Sequence, residues 1–250
     1  MKYIKFINLL LFAVLMFVIS SCNRDDGFNI FAEDLKFSED GVDGYIAASC
    51  GGVLPTTDPI NITIVEDESL LSSYNMSNFD TDANRYALYL SADRYEISEH
   101  KITIPAGERT GRMKIHLRTA GLSPDSVYLI PFRVNTFSAY EFNPKKNTVL
   151  YRLYLKNYYA STKDGDGATV YSHRGKRGAT NTMMQKKVFP TAVNEVRIMA
   201  GIKEFQKEEA LIDKWSLRLV IGEDNKVTIL PWNTSEFGMK VTQMDGNEDY

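Results

Sequence analysis

The chain has 250 residues, with 29 Lys and Arg against 32 Asp and Glu and a formal net charge of −3. Such a surface has nothing to attract a phosphate backbone, so nucleic-acid partners are excluded. With only two cysteines, Cys22 and Cys50, zinc sites built on several thiolates are excluded as well.

At the start, Lys2 and Lys5 precede an apolar stretch from Leu9 to Ile19, which leads into Ser20-Ser21-Cys22. This is the three-part layout of a secretory signal over residues 1–21. The apolar run is about half the ~20 residues a helix needs to cross ~30 Å of hydrocarbon, so it reads as a removable signal rather than a span. Ile19-Ser20-Ser21-Cys22 resembles a bacterial lipobox, which implies cleavage before Cys22, a diacylglyceryl group on its sulfur and a further acyl chain on its amine. At about 0.8 kcal/mol per buried CH₂, two or three such chains hold a protein on a membrane. Asn23-Arg24-Asp25-Asp26 resembles the acidic export signal that carries Bacteroidetes lipoproteins to the outer face of the outer membrane. With Cys22 acylated, Cys50 has no disulfide partner in the chain and reads as a small buried hydrophobe.

Residues 22–34 then read as a lipidated, polar tether. Tyr45 to Ser49 alternate as a modest strand that stops at Cys50-Gly51-Gly52, and Ile60, Ile62 and Ile64 mark a stronger one. Residues 67–84 are rich in acids, serines and asparagines and predict a surface excursion with one helical turn at Leu70-Leu71. Ile102 and Ile104, the turn Pro105-Ala106-Gly107-Glu108, and Met113, Ile115 and Leu117 predict two strands with one buried face. Val127 to Val134 follows as a strand whose Pro131 removes a ladder donor, which predicts an edge or a bulge there. Val149 to Leu155 is the next strand. Several short strands at this spacing imply a β-sandwich, placed at residues 35–156.

From Asn157 the pattern changes. Lys163 to Gly167 and His173 to Gly178 read as loops, and Thr182–Phe189 and Glu195–Met199 read as strands around Pro190. Lys203 to Asp213 has helical composition. Trp215, Leu217, Leu219 and Ile221, the turn Gly222-Glu223-Asp224-Asn225, and Val227 with Ile229 predict a hairpin. Phe237 to Val241 is read as a last strand. Residues 157–250 thus form a small β-rich domain, barrel- or sandwich-like, and the fold class is all-β.

Ser73-Tyr74-Asn75, Tyr95-Glu96-Ile97, Ile102-Thr103-Ile104-Pro105-Ala106-Gly107, and Gly121-Leu122-Ser123 with Tyr128-Leu129-Ile130-Pro131 resemble, in that order, a domain of unknown function in Bacteroidetes surface lipoproteins. The same type of domain precedes endo-glycosidase domains. The resemblance covers about residues 35 to 156 and implies an immunoglobulin-like sandwich. A version of the family with a small C-terminal β domain, putative adhesins and glycan-binding lipoproteins among them, is similar to the arrangement here, with Lys156-Asn157-Tyr158-Tyr159 at the junction. If members close that domain with further strands beyond Tyr250, the chain is expected to be truncated.

No catalytic residue is assigned. A TIM barrel needs ~250 residues, far more than follow Lys156, and no Gly-x-Ser-x-Gly elbow or phosphate-cradling glycine loop occurs. His116 shares a face with Lys114 and Arg118 and reads as solvated. Asp164-Gly165-Asp166-Gly167 lacks the bidentate acid of a calcium loop, so neither metal nor cofactor is expected. Asp125-Ser126-Val127 resembles a Bacteroidetes O-glycosylation motif. For sugar, aromatic faces matter most: Trp232, which leads into Asn233-Thr234-Ser235-Glu236, is the first candidate, and Tyr158, Tyr159 and Tyr171 flank the interdomain junction. Trp215 is in phase with Leu217 and reads as core. The expected function is a non-enzymatic surface lipoprotein that binds polysaccharide or host glycan beside outer-membrane uptake proteins. The rival expectation is a structural or adhesive protein that contacts a protein partner, with an open strand edge near Pro131 to receive it.

Overall fold

The computed structural model describes residues 28–51, 56–163, 169–177, 180–205 and 207–242. The signal, Cys22 and its acidic neighbours, the Asp164–Gly167 turn and the chain end after Thr242 lie outside the described residues, as do the side chains of His173, Lys176 and Arg177.

The N-terminal half is an immunoglobulin-like sandwich. One sheet runs β1 (Ile30–Lys36), β9 (Thr148–Lys156), β8 (Tyr128–Phe137), β3 (Ile60–Glu66) and β6 (Lys101–Ile104), with the short β4 (Leu88–Tyr89) also on β8. Facing it are β2 (Val42–Ser49), β7 (Thr110–Leu117) and β5 (Tyr95–Glu96). Strict alternation in β7 buries Met113, Ile115 and Leu117 and leaves Lys114 outside, as a half-buried strand requires. These side chains meet Ile64, Ile130, Phe132, Tyr151 and Leu153 from the opposite sheet in one core. Cys50 is free and half-buried rather than fully enclosed.

Three expectations for this half are corrected. The segment expected as tether becomes strand at Ile30, because β1 pairs in parallel with β9 from Ile30↔Leu150 to Lys36↔Lys156. Its apolar residues do not alternate: Ile30 and Phe31 are exposed while Leu35 is buried. The expected single helical turn is instead α1, Glu68–Phe79, three turns long. Asp67 caps it by accepting from the Ser69 N–H at 3.1 Å, and Leu71 and Tyr74 pack on Leu129 and Leu150. Buried Asn75 ties the helix down, since its amide donates to the Ala87 carbonyl at 2.9 Å and its oxygen accepts the Ala87 N–H at 2.8 Å. The strand carrying Pro131 is central, flanked by β9 on one side and by β3 and β4 on the other. Pro131 falls at the seam where pairing with β4 ends at Leu129 and pairing with β3 begins at Phe132. Its carbonyl accepts the Asp67 N–H across that seam at 3.0 Å.

The C-terminal half is an antiparallel meander of β10 (Thr169–Arg177), β11 (Thr180–Ala192), β12 (Glu195–Met199), β13 (Ser216–Ile221) and β14 (Val227–Pro231). A seven-residue helix, α2 (Glu209–Trp215), precedes β13. The expected loop at His173–Arg177 is strand, paired from Thr169↔Val188 to Arg177↔Thr180, since β11 offers it a long partner whatever its polarity. Trp215 is not a core residue of the hairpin: it ends α2, half-buried, with the Lys203 ammonium 4.2 Å from its ring centroid. Residues 237–241 form no strand, because Gly238 bonds back to the Lys214 carbonyl at 2.8 Å beside the Trp215 ring.

Candidate functional site

The two halves touch at the junction, where Ser161 and Lys163 reach Asp34 of β1, and around the ion pair between Arg197 and Asp125. In β12, Val196 and Ile198 point to one face and Arg197 to the other, as alternation dictates. Arg197 is 2% exposed, yet its guanidinium reaches the N-terminal half: Nη1 donates to Asp125 Oδ2 at 2.7 Å and Nη2 to Oδ1 at 2.6 Å. The Phe189 and Trp232 rings flank the same guanidinium, with centroids 5.0 and 5.1 Å from its carbon. A planar cation fits both roles: its fork matches a carboxylate in plane and its faces stack on rings. The result is a staple between the Gly121–Ser126 turn and the C-terminal sheet, buried at its arginine and partly open at its aspartate.

Above the staple lies a cavity of about 470 Å³ lined by the Gly121–Ser126 turn, Thr191, Arg197, Lys207, Glu209, Ile212, Asp213 and Trp232. The backbone N–H of Trp232 donates to the Ser216 carbonyl at 3.0 Å, which prolongs the hairpin by one residue. The loop after it folds on Asn233, whose oxygen accepts from Ser235 Oγ at 2.8 Å and whose amide donates to Asp213 Oδ2 at 3.0 Å. Glu209 and Asp213, four residues apart, share a face of α2. An aromatic ring beside carboxylates, an ammonium and hydroxyls can stack on the apolar side of a sugar and hydrogen-bond its hydroxyls. Ser126 of the O-glycosylation-like tripeptide lines this cavity and is half-buried, and its neighbour Asp125 is spent on the staple.

The tyrosines gather elsewhere. Tyr171 donates through its hydroxyl to the Tyr159 carbonyl at 2.6 Å, and Tyr158 meets Tyr159 edge-on at 5.2 Å. Tyr159 packs on the cluster containing Val196, hence on the face of the sheet opposite Arg197 and Trp232. Tyr158 is 93% exposed. The structure therefore brings the three tyrosines together and leaves Trp232 on the other face, among residues the sequence did not connect with it. The sequence marked Asp125 only as part of an O-glycosylation-like tripeptide and Arg197 not at all, because an arginine between Val196 and Ile198 reads as the solvated side of a half-buried strand.

A second polar cluster sits in the sandwich. Glu66 accepts hydrogen bonds from the Tyr89 and Tyr95 hydroxyls, and His100 Nε2 lies 3.4 Å away. Burial pushes the Glu66 carboxyl upward, but the two hydroxyls and His100 outweigh it and hold the group below the usual carboxylate range. Tyr95 is driven well above an ordinary phenol by burial, then by Tyr89 and Glu66. His116 rests at the surface between Asp43, 2.8 Å from Nδ1, and the Asp40 carbonyl. Among the described residues no group of three or more His, Cys, Asp or Glu side chains is placed to hold a metal ion.

Comparison with known proteins fits this two-part build. A family model for an N-terminal domain matches residues 25–141, and a companion model for a C-terminal domain matches residues 147–250. Among solved structures, a protein of unknown function from Bacteroides ovatus shares 16% identity at a TM-score of 0.63, covering 83% of this chain and 69% of that one. A multidomain protein including DUF1735, also from Bacteroides ovatus, has 16% identity and a TM-score of 0.61 over 86% of this chain and 70% of its own. An auxiliary nutrient binding protein from Bacteroides thetaiotaomicron has 15% identity and a TM-score of 0.59, covering 89% and 76%. No curated protein matches the sequence. The two models lie side by side along the chain, so the protein carries the N-terminal domain and the C-terminal domain that they describe, in that order.

Proposed function

We propose that the protein is a non-enzymatic lipoprotein that binds glycan in the cavity between its domains. It would be anchored through Cys22 in the outer membrane, face the cell exterior and work beside an outer-membrane uptake system. The observation that carries the reading is the cavity itself: one indole ring, held by a buried arginine, among hydroxyl, carboxylate and ammonium groups. Polar groups fixed around an aromatic face are what a pyranose needs, and a domain interface is a common place for them. The structural neighbour described as an auxiliary nutrient binding protein shares this fold across 89% of the chain. The signal and lipobox-like residues supply the anchor and the acidic residues after Cys22 the surface location.

The test is an affinity gel series or glycan array with the mature protein and its Trp232→Ala variant, both checked for folding by circular dichroism. Retention by at least one polysaccharide, reduced at least tenfold in the variant, supports the reading. No retention by any glycan, or equal retention by both proteins, contradicts it. The tyrosine cluster serves as the internal control, since Tyr158→Ala should leave retention unchanged.

A further inference from the structure

At the far end of the sandwich from the C-terminal sheet, the structure leaves a patch of exposed aromatics. Phe31 of β1, Phe137 at the end of β8, and Tyr140 and Phe142 of the following loop are 43%, 37%, 68% and 41% exposed. Phe137 and Phe142 meet edge-on at 5.2 Å, so the loop presents them as a unit. All four rings line the mouth of an apolar cavity of about 660 Å³ between the two sheets. Lys145 and Lys146 stand exposed in the same loop, with Glu141 as the acid among them. Aromatic side chains beside lysines, with little else charged, is the composition of a surface that sits at a lipid headgroup layer.

The place where the chain enters the fold fixes what this patch faces. Asn29 donates from its amide to the Lys145 carbonyl at 2.8 Å, and Leu150 donates to the Asn29 carbonyl at 2.8 Å. Residue 29 is therefore bonded to the aromatic loop itself. Only five residues lie between Cys22 and Phe28, six chain steps with a reach of about 20 Å even when fully extended. We infer that this end of the sandwich rests on the lipid surface that holds the anchor, with Tyr140 and Phe142 in the headgroup layer and Lys145 and Lys146 against its phosphates. The inference depends on the acylation of Cys22 proposed above.

The contact orients the whole protein. From Phe137 back to Tyr128, β8 spans ten residues, about 30 Å at ~3.3 Å per residue. The Gly121–Ser126 turn at its other end lines the Trp232 cavity. The ligand site is thereby held away from the membrane, and the acyl chains together with the aromatic patch make two separate attachments.

The test places an environment-sensitive dye on Tyr140→Cys in a Cys50→Ser background of the full chain, acylated in cells and reconstituted into vesicles of phosphatidylethanolamine and phosphatidylglycerol. The reference carries the dye on Tyr158→Cys. A blue-shifted emission at position 140, quenched several-fold more by brominated lipid than at position 158, is the expected result. Equal and solvent-like emission at both positions on vesicle-bound protein overturns the inference, and so does a concentration-dependent blue shift at 140 without vesicles, which would mean a second copy covers the patch. Failure of the anchor reading looks different: the protein would take up no labelled palmitate and would not remain on the vesicles at all.

Discussion

The two halves are held together by different physics. In the N-terminal sandwich, sixteen buried residues, most of them from the two sheets, form one apolar cluster among the described residues, with Phe132, Tyr151 and Ile115 almost wholly enclosed. The corresponding cluster of the C-terminal sheet has four buried members, Ala160, Val188, Val196 and Ile221. Among the described residues this sheet has no second sheet packed on it, and its other face is covered by α2 and by the Phe189–Arg197–Trp232 stack, with Asp125 supplied by its neighbour. The C-terminal sheet thus takes part of its cover from the sandwich, and the Trp232 cavity lies where the two join.

Breaking each half should expose that difference. Phe132→Ala empties the centre of the sandwich and should cost about 3–5 kcal/mol, read in urea unfolding as an earlier midpoint for the whole chain, because the C-terminal sheet loses its support too. Asp125→Ala leaves the buried Arg197 without its carboxylate, a loss of about 3 kcal/mol for a buried charge left unpaired. Here the C-terminal half should come loose first, so intrinsic Trp fluorescence, from Trp215 and Trp232 alone, should report a transition ahead of far-ultraviolet circular dichroism. Coincident transitions in this variant would show that the sheet does not depend on the staple.

The smallest effect is a pH dependence confined to the sandwich. The Glu66 carboxyl is lowered in the folded state from its ordinary value of 4.5, so the fold binds the charged form more tightly than the unfolded chain does. That stabilisation is complete above about pH 4.5 and fades as pH falls through the lower folded value. Glu66→Gln should therefore melt earlier than the parent at pH 7, with the gap narrowing on acidification to pH 3. A gap that widens toward low pH would mean the tyrosines do not favour the carboxylate.

Much of this architecture was legible where the chain alternates. Ile102 with Ile104, Met113 with Ile115 and Leu117, and Leu217 with Leu219 and Ile221 each state which face is inside, and they fold as paired strands. What escaped lacks such a signal. In α1, serines and asparagines surround Leu71 and Tyr74, and the helix is held by the Asp67 cap and the Asn75–Ala87 pair rather than by an apolar stripe. β1 and β10 are strands because a long neighbour pairs with them. Of the site, Trp232 could be picked out as an indole beside a polar loop. Its partners could not, since an arginine–aspartate pair 72 residues apart is visible only once the domains have docked. The tyrosines at the junction share its chemistry, but strand parity sends them to the opposite face.

The most direct test watches the two indoles during a glycan titration. With two tryptophans in the chain, a ¹⁵N-labelled sample gives two indole N–H resonances, assigned by Trp215→Phe. Saturable movement of the Trp232 signal, with Trp215 following little or not at all, is the predicted result for a sugar seated in the interdomain cavity. A polysaccharide that binds the protein yet leaves the Trp232 resonance in place would contradict the account.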